Sequence, residues 1–257
     1  LKRKNKALDK KFLKKNLKII SLSDTNGILT GYYEPEIKIS KKRNKKYKYP
    51  ILKKRKLLEL DRKSILKNYK NNDVIYWTDD NINLFFLQIQ GSGIGVMENG
   101  KKIKLLYGGN NRFPYTSIGK ILVDRGFLKR DQVSLSSIKE WLRKNSGRRD
   151  EIFFMNKRYI FFKEEPHNEK FALGSMGVNL VPRISIAIDK KIYPFGLPML
   201  LNTSDKKFNS FVIAHDTGSA IKGFNRADLF VGRGVAAEEI AGNLKKSLQL
   251  LILVPYN

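Results

Sequence analysis

Short apolar runs broken by glycine, proline and lysine fill most of this chain, and their spacing predicts strands more often than helices. Near the start, Leu8, Phe12, Leu13 and Leu17 stand at helical spacing among lysines, so Ala7 to Leu17 reads as an amphipathic helix. Strands are expected at Leu17 to Leu22 and Gly27 to Tyr33. A basic run with Pro50, Lys38 to Lys56, then marks a domain edge. Beyond it, Val74 to Trp77 and Leu84 to Gln90 read as strands, the second with Phe86, Gln88 and Gln90 on one face. Met97 to Leu106 reads as a hairpin with Glu98, Asn99 and Gly100 at its turn.

The middle of the chain adds helices. Ile118 to Arg125 follows a capping Ser117 and stops at Gly126, and Ser134 to Lys144 carries Ser137 and Glu140 in capping-box relation if Ser137 is the cap. A short helix near Asp150 to Asn156 leads to a strand at Tyr159 to Phe162. From Gly174 the pattern is β again, at Ile184 to Ile188, Pro198 to Leu201, Phe211 to Ala214, Leu229 to Val231 and Leu248 to Val254, which suggests a barrel. One late helix, Ala236 to Lys246, gathers Ala236, Ala237, Ile240, Ala241 and Leu244 on one face and is expected to pack on that barrel.

At 257 residues the chain can bury a core in one large or two small domains without staples. The absence of cysteine excludes thiol nucleophiles, cysteine-ligated zinc and disulfides. A formal net charge of +27 attracts polyanions, and nucleic acid, an anionic membrane surface and an acidic wall polymer all qualify as partners. The lysines are spread over several runs rather than gathered on one motif. No apolar run approaches the roughly 20 residues of a spanning helix. The Lys-rich opening at Leu1, without an initiator Met or an apolar signal core, reads as a chain whose targeting segment has been removed.

Candidate chemistry concentrates between Ala214 and Gly234, AHDTGSAIKGFNRADLFVGRG, where Asp216 and Asp228 bracket a loop containing Gly218 and Gly223. The two histidines, His167 and His215, fit neither HExxH nor a GxSxG elbow, so metal and serine-nucleophile chemistry find no support. Carboxylates remain: Asp189, Asp216 and Asp228 each begin or end a strand-like run. Any one of them can be a turn residue bonding local N–H groups. Together with the glycines, which let backbone approach a ligand closely, a partly desolvated carboxyl can instead serve as a general acid.

The segment 174 to 234, from GSMGVNLVPRISIAID through YPFGLP to AHDTGSAIKGFNRADLFVGRG, resembles the three-aspartate domain of the membrane-bound lytic transglycosylase A family. TGYYEPEI at 30 to 37, FFLQIQGSG at 85 to 93 and YGGNNRFPYTSIGKILVDRG at 107 to 126 resemble that family's other motifs in the same order, so the likeness spans about residues 27 to 254. It implies a mainly β protein: a double-psi β-barrel, residues 1–37 plus 166–257, interrupted by an inserted β-rich α+β domain, 38–165, with a glycan groove between them. It also implies cleavage of the MurNAc–GlcNAc β-1,4 bond of peptidoglycan without water, leaving 1,6-anhydro-MurNAc, with no cofactor and no metal.

The resemblance puts the catalytic role on Asp228. Asp216 either keeps that acid protonated through charge or braces the loop. Asp189 is a supporting residue with Gly218 and Gly223. Lys222 could bond a sugar hydroxyl or the lactyl carboxylate, Tyr32 and Tyr33 could offer ring faces, and Thr30, Glu34, Gln88, Gln90 and Ser92 could bond hydroxyl or acetamido groups. Glu34 is also a rival acid. The family pattern DTGGAIKG departs here, with Ser219 in place of its second glycine.

Implied partners are peptidoglycan strands, with an outer membrane reached through a removed lipid anchor. The expected location is the bacterial envelope, in the periplasm or on the periplasmic face of the outer membrane, and the expected state is monomeric. A barrel that holds glycan without cutting it, as expansin-like proteins do, is the alternative from the binding class. A nucleic-acid binder would rest on charge alone, since no RNP, KH or helix-turn-helix pattern is present.

Overall fold

The computed structural model describes residues 15–54, 59–168 and 170–256. The helix expected at Ala7 to Leu17 lies almost wholly outside them, and its last residue begins a strand. Strands follow in the order β1 (Leu17–Ser21), β2 (Gly27–Glu34), β3 (Glu36–Ser40), β4 (Tyr49–Leu52), β5 (Val74–Thr78), β6 (Gly93–Met97) and β7 (Lys102–Asn110). The later ones are β8 (Ile160–Pro166), β9 (Ser185–Ile188), β10 (Pro198–Thr203), β11 (Phe211–Thr217), β12 (Arg226–Arg233) and β13 (Lys245–Pro255). The helices are α1 (Arg62–Asn68), α2 (Asn81–Gln90), α3 (Ile118–Asp124), α4 (Leu135–Lys144), α5 (Arg149–Met155) and α6 (Gly234–Asn243).

These elements form two units. The first holds the described part of Leu1–Gly31, Leu173–Phe230 and the described part of Leu244–Asn257; the second holds Tyr32–Ala172 and Val231–Asn243. In the first, strands run β1-β13-β10-β11-β9-β12-β2, and β2 pairs back onto β13, closing six of them into a barrel. The length of β13 makes closure possible. Its start pairs with β2 (Lys245↔Thr30), its middle with β10 (Leu250↔Leu201) and its end with β1 (Leu253↔Ile19). Alternate residues fill the interior: Leu29, Ile186, Ile188, Met199, Leu201, Val212, Ala214, Ala227, Leu229, Leu248 and Leu250 are all buried.

The second unit is built on a sheet ordered β4-β5-β3-β6-β7-β8, in which only β3 and β6 are parallel. The basic run carries the end of β3 and all of β4. Residues 84–90, expected as a strand, belong to helix α2, which Asp80 caps by accepting from the N–H groups of Ile82 and Asn83 and which Gly91, at φ 86°, ends. Apolar side chains surround α2 because it is buried on two sides. Leu84 and Leu87 meet the sheet residues Ile37, Ile51 and Leu105, while Ile82, Phe85 and Phe86 meet Ile118, Leu122 and Leu142 of α3 and α4. A run that is apolar all round carries no period by which to separate helix from strand.

Two further expectations are corrected in this unit. The capping box of α4 joins Ser134 to Ser137, not Ser137 to Glu140. The late helix, α6, groups with the second unit rather than with the barrel: Glu238 accepts from Lys139 of α4 (2.5 Å) and from the Tyr33 hydroxyl (2.8 Å).

Within the barrel unit, Asn225 replaces missing ladder bonds. Its buried side chain donates to the carbonyls of Ser23 and Thr25 and accepts from Leu250 N at 2.8 Å, while its own carbonyl accepts from Ile28 N at 2.8 Å. Asn225→Ala strands a buried N–H and two carbonyls, so stability should fall by about 2–3 kcal/mol. Urea unfolding should show this as a lower midpoint at unchanged slope.

Candidate active site

Strand β9 brings the candidate carboxylates together. On one side it pairs in parallel with β11, matching Asp216 to Ala187; on the other it pairs antiparallel with β12, matching Asp228 to the same Ala187. Residues in register point to the same face of a sheet, so Asp216 and Asp228 stand level on either side of a small alanine. Two strand spacings put their Cα atoms roughly 10 Å apart. Asp189 follows Ala187 by two residues, on the same face just past the end of β9. A register shift between Ala214 and Asp216 is what brings Asp216 to that level.

Asp228 is partly exposed but set into protein. Its Oδ1 accepts from the Thr30 hydroxyl at 2.5 Å, and Thr30 Oγ1 in turn accepts from Arg226 Nη2 at 2.9 Å. Burial raises the Asp228 pKa and the charge of Asp216 adds to that rise, while Arg226 and the Thr30 bond hold it down; the net direction is upward. Arg226 is anchored by donating from Nη1 to the carbonyls of Ala227 and Ile28. Burial lowers its own pKa against the pull of Asp228, yet a guanidinium remains charged near neutrality.

Asp216 is held differently. Its Oδ1 accepts from Ser175 N (3.0 Å), Ser175 Oγ (2.7 Å) and Thr217 N (2.8 Å). Its neighbour His215 is a strand residue whose Nδ1 lies 2.8 Å from Ser185 Oγ, and burial lowers its pKa against the opposing charge of Asp216. Asp189, 5% exposed, accepts from Lys191 N and Gly223 N, each at 3.1 Å, and pairs with Lys222 Nζ at 3.6 Å. Burial alone would raise its pKa, but these donors outweigh it and the net shift is downward. Asp189 thus ties down the loop between Asp216 and Asp228, where Gly223 sits at φ 102°, a backbone conformation that favours glycine. Gly218 accepts from Ile221 N in the same loop. Ser219 is exposed and not at positive φ, so the turn accommodates it in place of glycine.

The remaining expected site residues lie in the second unit, except Thr30 and Lys222, and several are not open to a ligand. Tyr33 is 2% exposed, its phenol pushed up in pKa by burial and then by Glu238, so it is a hydrogen-bond donor rather than a ring platform. Glu34 is buried and accepts from Arg233 Nε at 2.7 Å, an ion pair rather than a free acid. Gln88 and Gln90 do not share a face, because two residues on a helix lie about 200° apart. Gln88 is buried and accepts from Arg62 Nη1 at 2.5 Å; Gln90 accepts from Tyr33 N at 3.2 Å. Tyr32 and Ser92 are half-buried. Among the described residues no group of three or more His, Asp and Glu side chains is arranged to hold a metal ion.

The residue that sequence reasoning missed is Arg226. Its signal was present: it stands two positions before Asp228, and alternation along a strand puts both on one face.

The family model described as the MltA specific insert domain matches residues 54–163, and the one described as the 3D domain matches 184–254. The membrane-bound lytic murein transglycosylase A homolog of Buchnera aphidicola subsp. Schizaphis graminum is 33% identical over 232 residues, covering 83% of this chain and 62% of its own length. The chain spans less than two thirds of the curated relatives it matches. Among solved structures, membrane-bound lytic murein transglycosylase from Agrobacterium tumefaciens has a TM-score of 0.87 at 27% identity, over 95% of this chain and 78% of that one. Escherichia coli MltA with bound chitohexaose has a TM-score of 0.84 at 25% identity, over 93% and 75%.

The anchoring by Asp189 sets a pH dependence. Its folded pKa is depressed, so the stability it contributes is present above its unfolded value, about 3.9, and is lost as pH falls through the folded value. Thermal melts should show Asp189→Asn below wild type at pH near 6, with the difference shrinking below about pH 4.

Proposed function

We propose, from the premise that this chain belongs to the membrane-bound lytic murein transglycosylase A family, that it is a peptidoglycan lytic transglycosylase with Asp228 as its single acid and base. Its substrate is the β-1,4-linked glycan of the wall, and its place of action is the bacterial envelope, at the periplasmic side. The observation that carries the assignment is the setting of Asp228: a carboxyl raised in pKa by burial, one oxygen held by Thr30, facing Asp216 across β9.

In the proposed reaction the carboxyl acts first in its protonated form, which the upward shift favours. It gives its proton to the glycosidic oxygen as the bond from the MurNAc anomeric carbon to that oxygen breaks, the bonding pair leaving with the oxygen. The resulting carboxylate then takes the proton of the same sugar's C6 hydroxyl, whose oxygen forms the new bond to the anomeric carbon. Asp228 ends as it began, protonated, and no water enters. An ordinary glycosidase needs a second carboxylate as nucleophile or as base for water. Here the attacking group is part of the substrate, so one residue suffices. Asp216 supports the first half by disfavouring ionisation of Asp228. The family likeness to a protein solved with chitohexaose bound supports a β-1,4 glycan as the ligand class.

Mass analysis of sacculi digested with the purified protein tests this reading. Anhydro ends are expected; reducing ends would mean hydrolysis, and no release would mean a glycan-binding barrel. Asp228→Asn should lower anhydro-product formation by about 10²- to 10⁴-fold, the usual contribution of a general acid and base. Full activity in that variant would move the role elsewhere.

A further inference from the structure

We propose that Arg226 and Thr30 form a positioning relay that keeps Oδ1 of Asp228 occupied and confines the transferable proton to Oδ2. The inference rests on the reading of Asp228 as the acid and adds to it the two side chains that decide which oxygen does the work. A guanidinium can only donate, so Thr30 Oγ1 must accept from Arg226 Nη2 at 2.9 Å. The Thr30 hydroxyl has one hydrogen, and at 2.5 Å from Asp228 Oδ1 that hydrogen is directed to the carboxyl. Polarity therefore runs one way, from Arg226 through Thr30 to Oδ1. An oxygen receiving that bond is a poor place for a proton. Among the described residues Oδ2 has no hydrogen-bond partner, which leaves it as the donor toward a substrate and, after the first proton transfer, as the acceptor.

The relay is rigidly held within the barrel unit. Arg226 is clamped by the carbonyls of Ala227 and Ile28, and Thr30 sits in β2, whose pairing with β13 closes the barrel. The groups facing Asp228 are few. Arg226 lies on its own strand, Thr30 on β2 and Asp216 on β11, while β9 presents the uncharged Ala187 and, past its end, Asp189, which is engaged by Gly223 N and Lys222. Asp216 and burial favour the protonated form; Arg226 and Thr30 favour the ionised one. A residue that must first lose and then regain a proton works best when these opposing influences hold its pKa near the operating pH. Thr30 is thus assigned to positioning rather than to bonding a sugar hydroxyl.

A carbon-13 titration of the Asp228 carboxyl in the full protein, located by its loss in Asp228→Asn, reads the relay directly. Thr30→Val keeps the side-chain shape and removes the hydroxyl; Arg226→Gln removes the charge. Both should raise the Asp228 midpoint by roughly one unit or more, and Thr30→Ser should return it to the wild-type value. Cleavage requires the protonated carboxyl first, so its rate falls as pH rises through that pKa. The basic limb of the pH–rate profile should therefore move upward with the midpoint in Thr30→Val and Arg226→Gln. An unmoved midpoint in both variants, or a Thr30→Ser protein that titrates like Thr30→Val, would overturn the relay. The titration needs no turnover, so it stands apart from the cleavage assay: missing anhydro products would defeat the proposed reaction, whereas an unmoved midpoint defeats the relay alone.

Discussion

Pairing on both sides of Ala187 is the constraint on which the site depends. Strand β9 takes β11 in parallel and β12 antiparallel, so two carboxylates from different strands arrive at one level, and the loop between them is tied down by Asp189. The same face of β12 carries Arg226, and the opposite face carries Ala227 and Leu229 into the barrel interior. A one-residue slip of β12 would turn Asp228 inward and expose Leu229, burying the carboxyl away from Thr30. Core packing and site geometry are therefore fixed by the same register, and closure of the barrel by β13 holds both.

The second unit solves a different problem, that of burying cations in a strongly basic chain. Arg62 lies between the rings of Phe85 and Tyr159 with no carboxylate paired to it among the described residues, donating instead to Gln88 and to the carbonyls of Asn156 and Arg158. Burial brings its pKa down to about 10, so it stays charged at neutral pH and each donor must be satisfied. Lys139 is likewise sunk between Asn83 and Glu238, and Arg233 is paired with Glu34. These contacts explain why polar residues that look available in the sequence are committed to the interior. Outside, the segment from Lys41 to Lys48 leaves most of its cations exposed, several of them over aromatic rings.

The barrel was legible from its many short strands separated by glycine and proline turns, and the hairpin between β6 and β7 was legible from its Asn-Gly turn. Helix α2 was not, since its neighbours cover it on two sides and erase the period. That single misreading also misplaced Gln88 and Gln90. Asp228 and Asp216 could be picked out as a pair, but their register on β9 depends on tertiary pairing that no local pattern encodes. Arg226 was hidden by its commonness in a chain with 51 Lys and Arg residues. Its position two before Asp228 distinguishes it only once β12 is known to be a strand.

The central claim is that one carboxyl serves as acid and then as base, with the substrate's own hydroxyl in place of water. Cleavage of sacculi in water enriched in heavy oxygen tests it most directly, because hydrolysis must write the label into each new end. The account predicts new MurNAc ends free of label. Label at those ends would show that water attacks, and that a second carboxylate works beside Asp228.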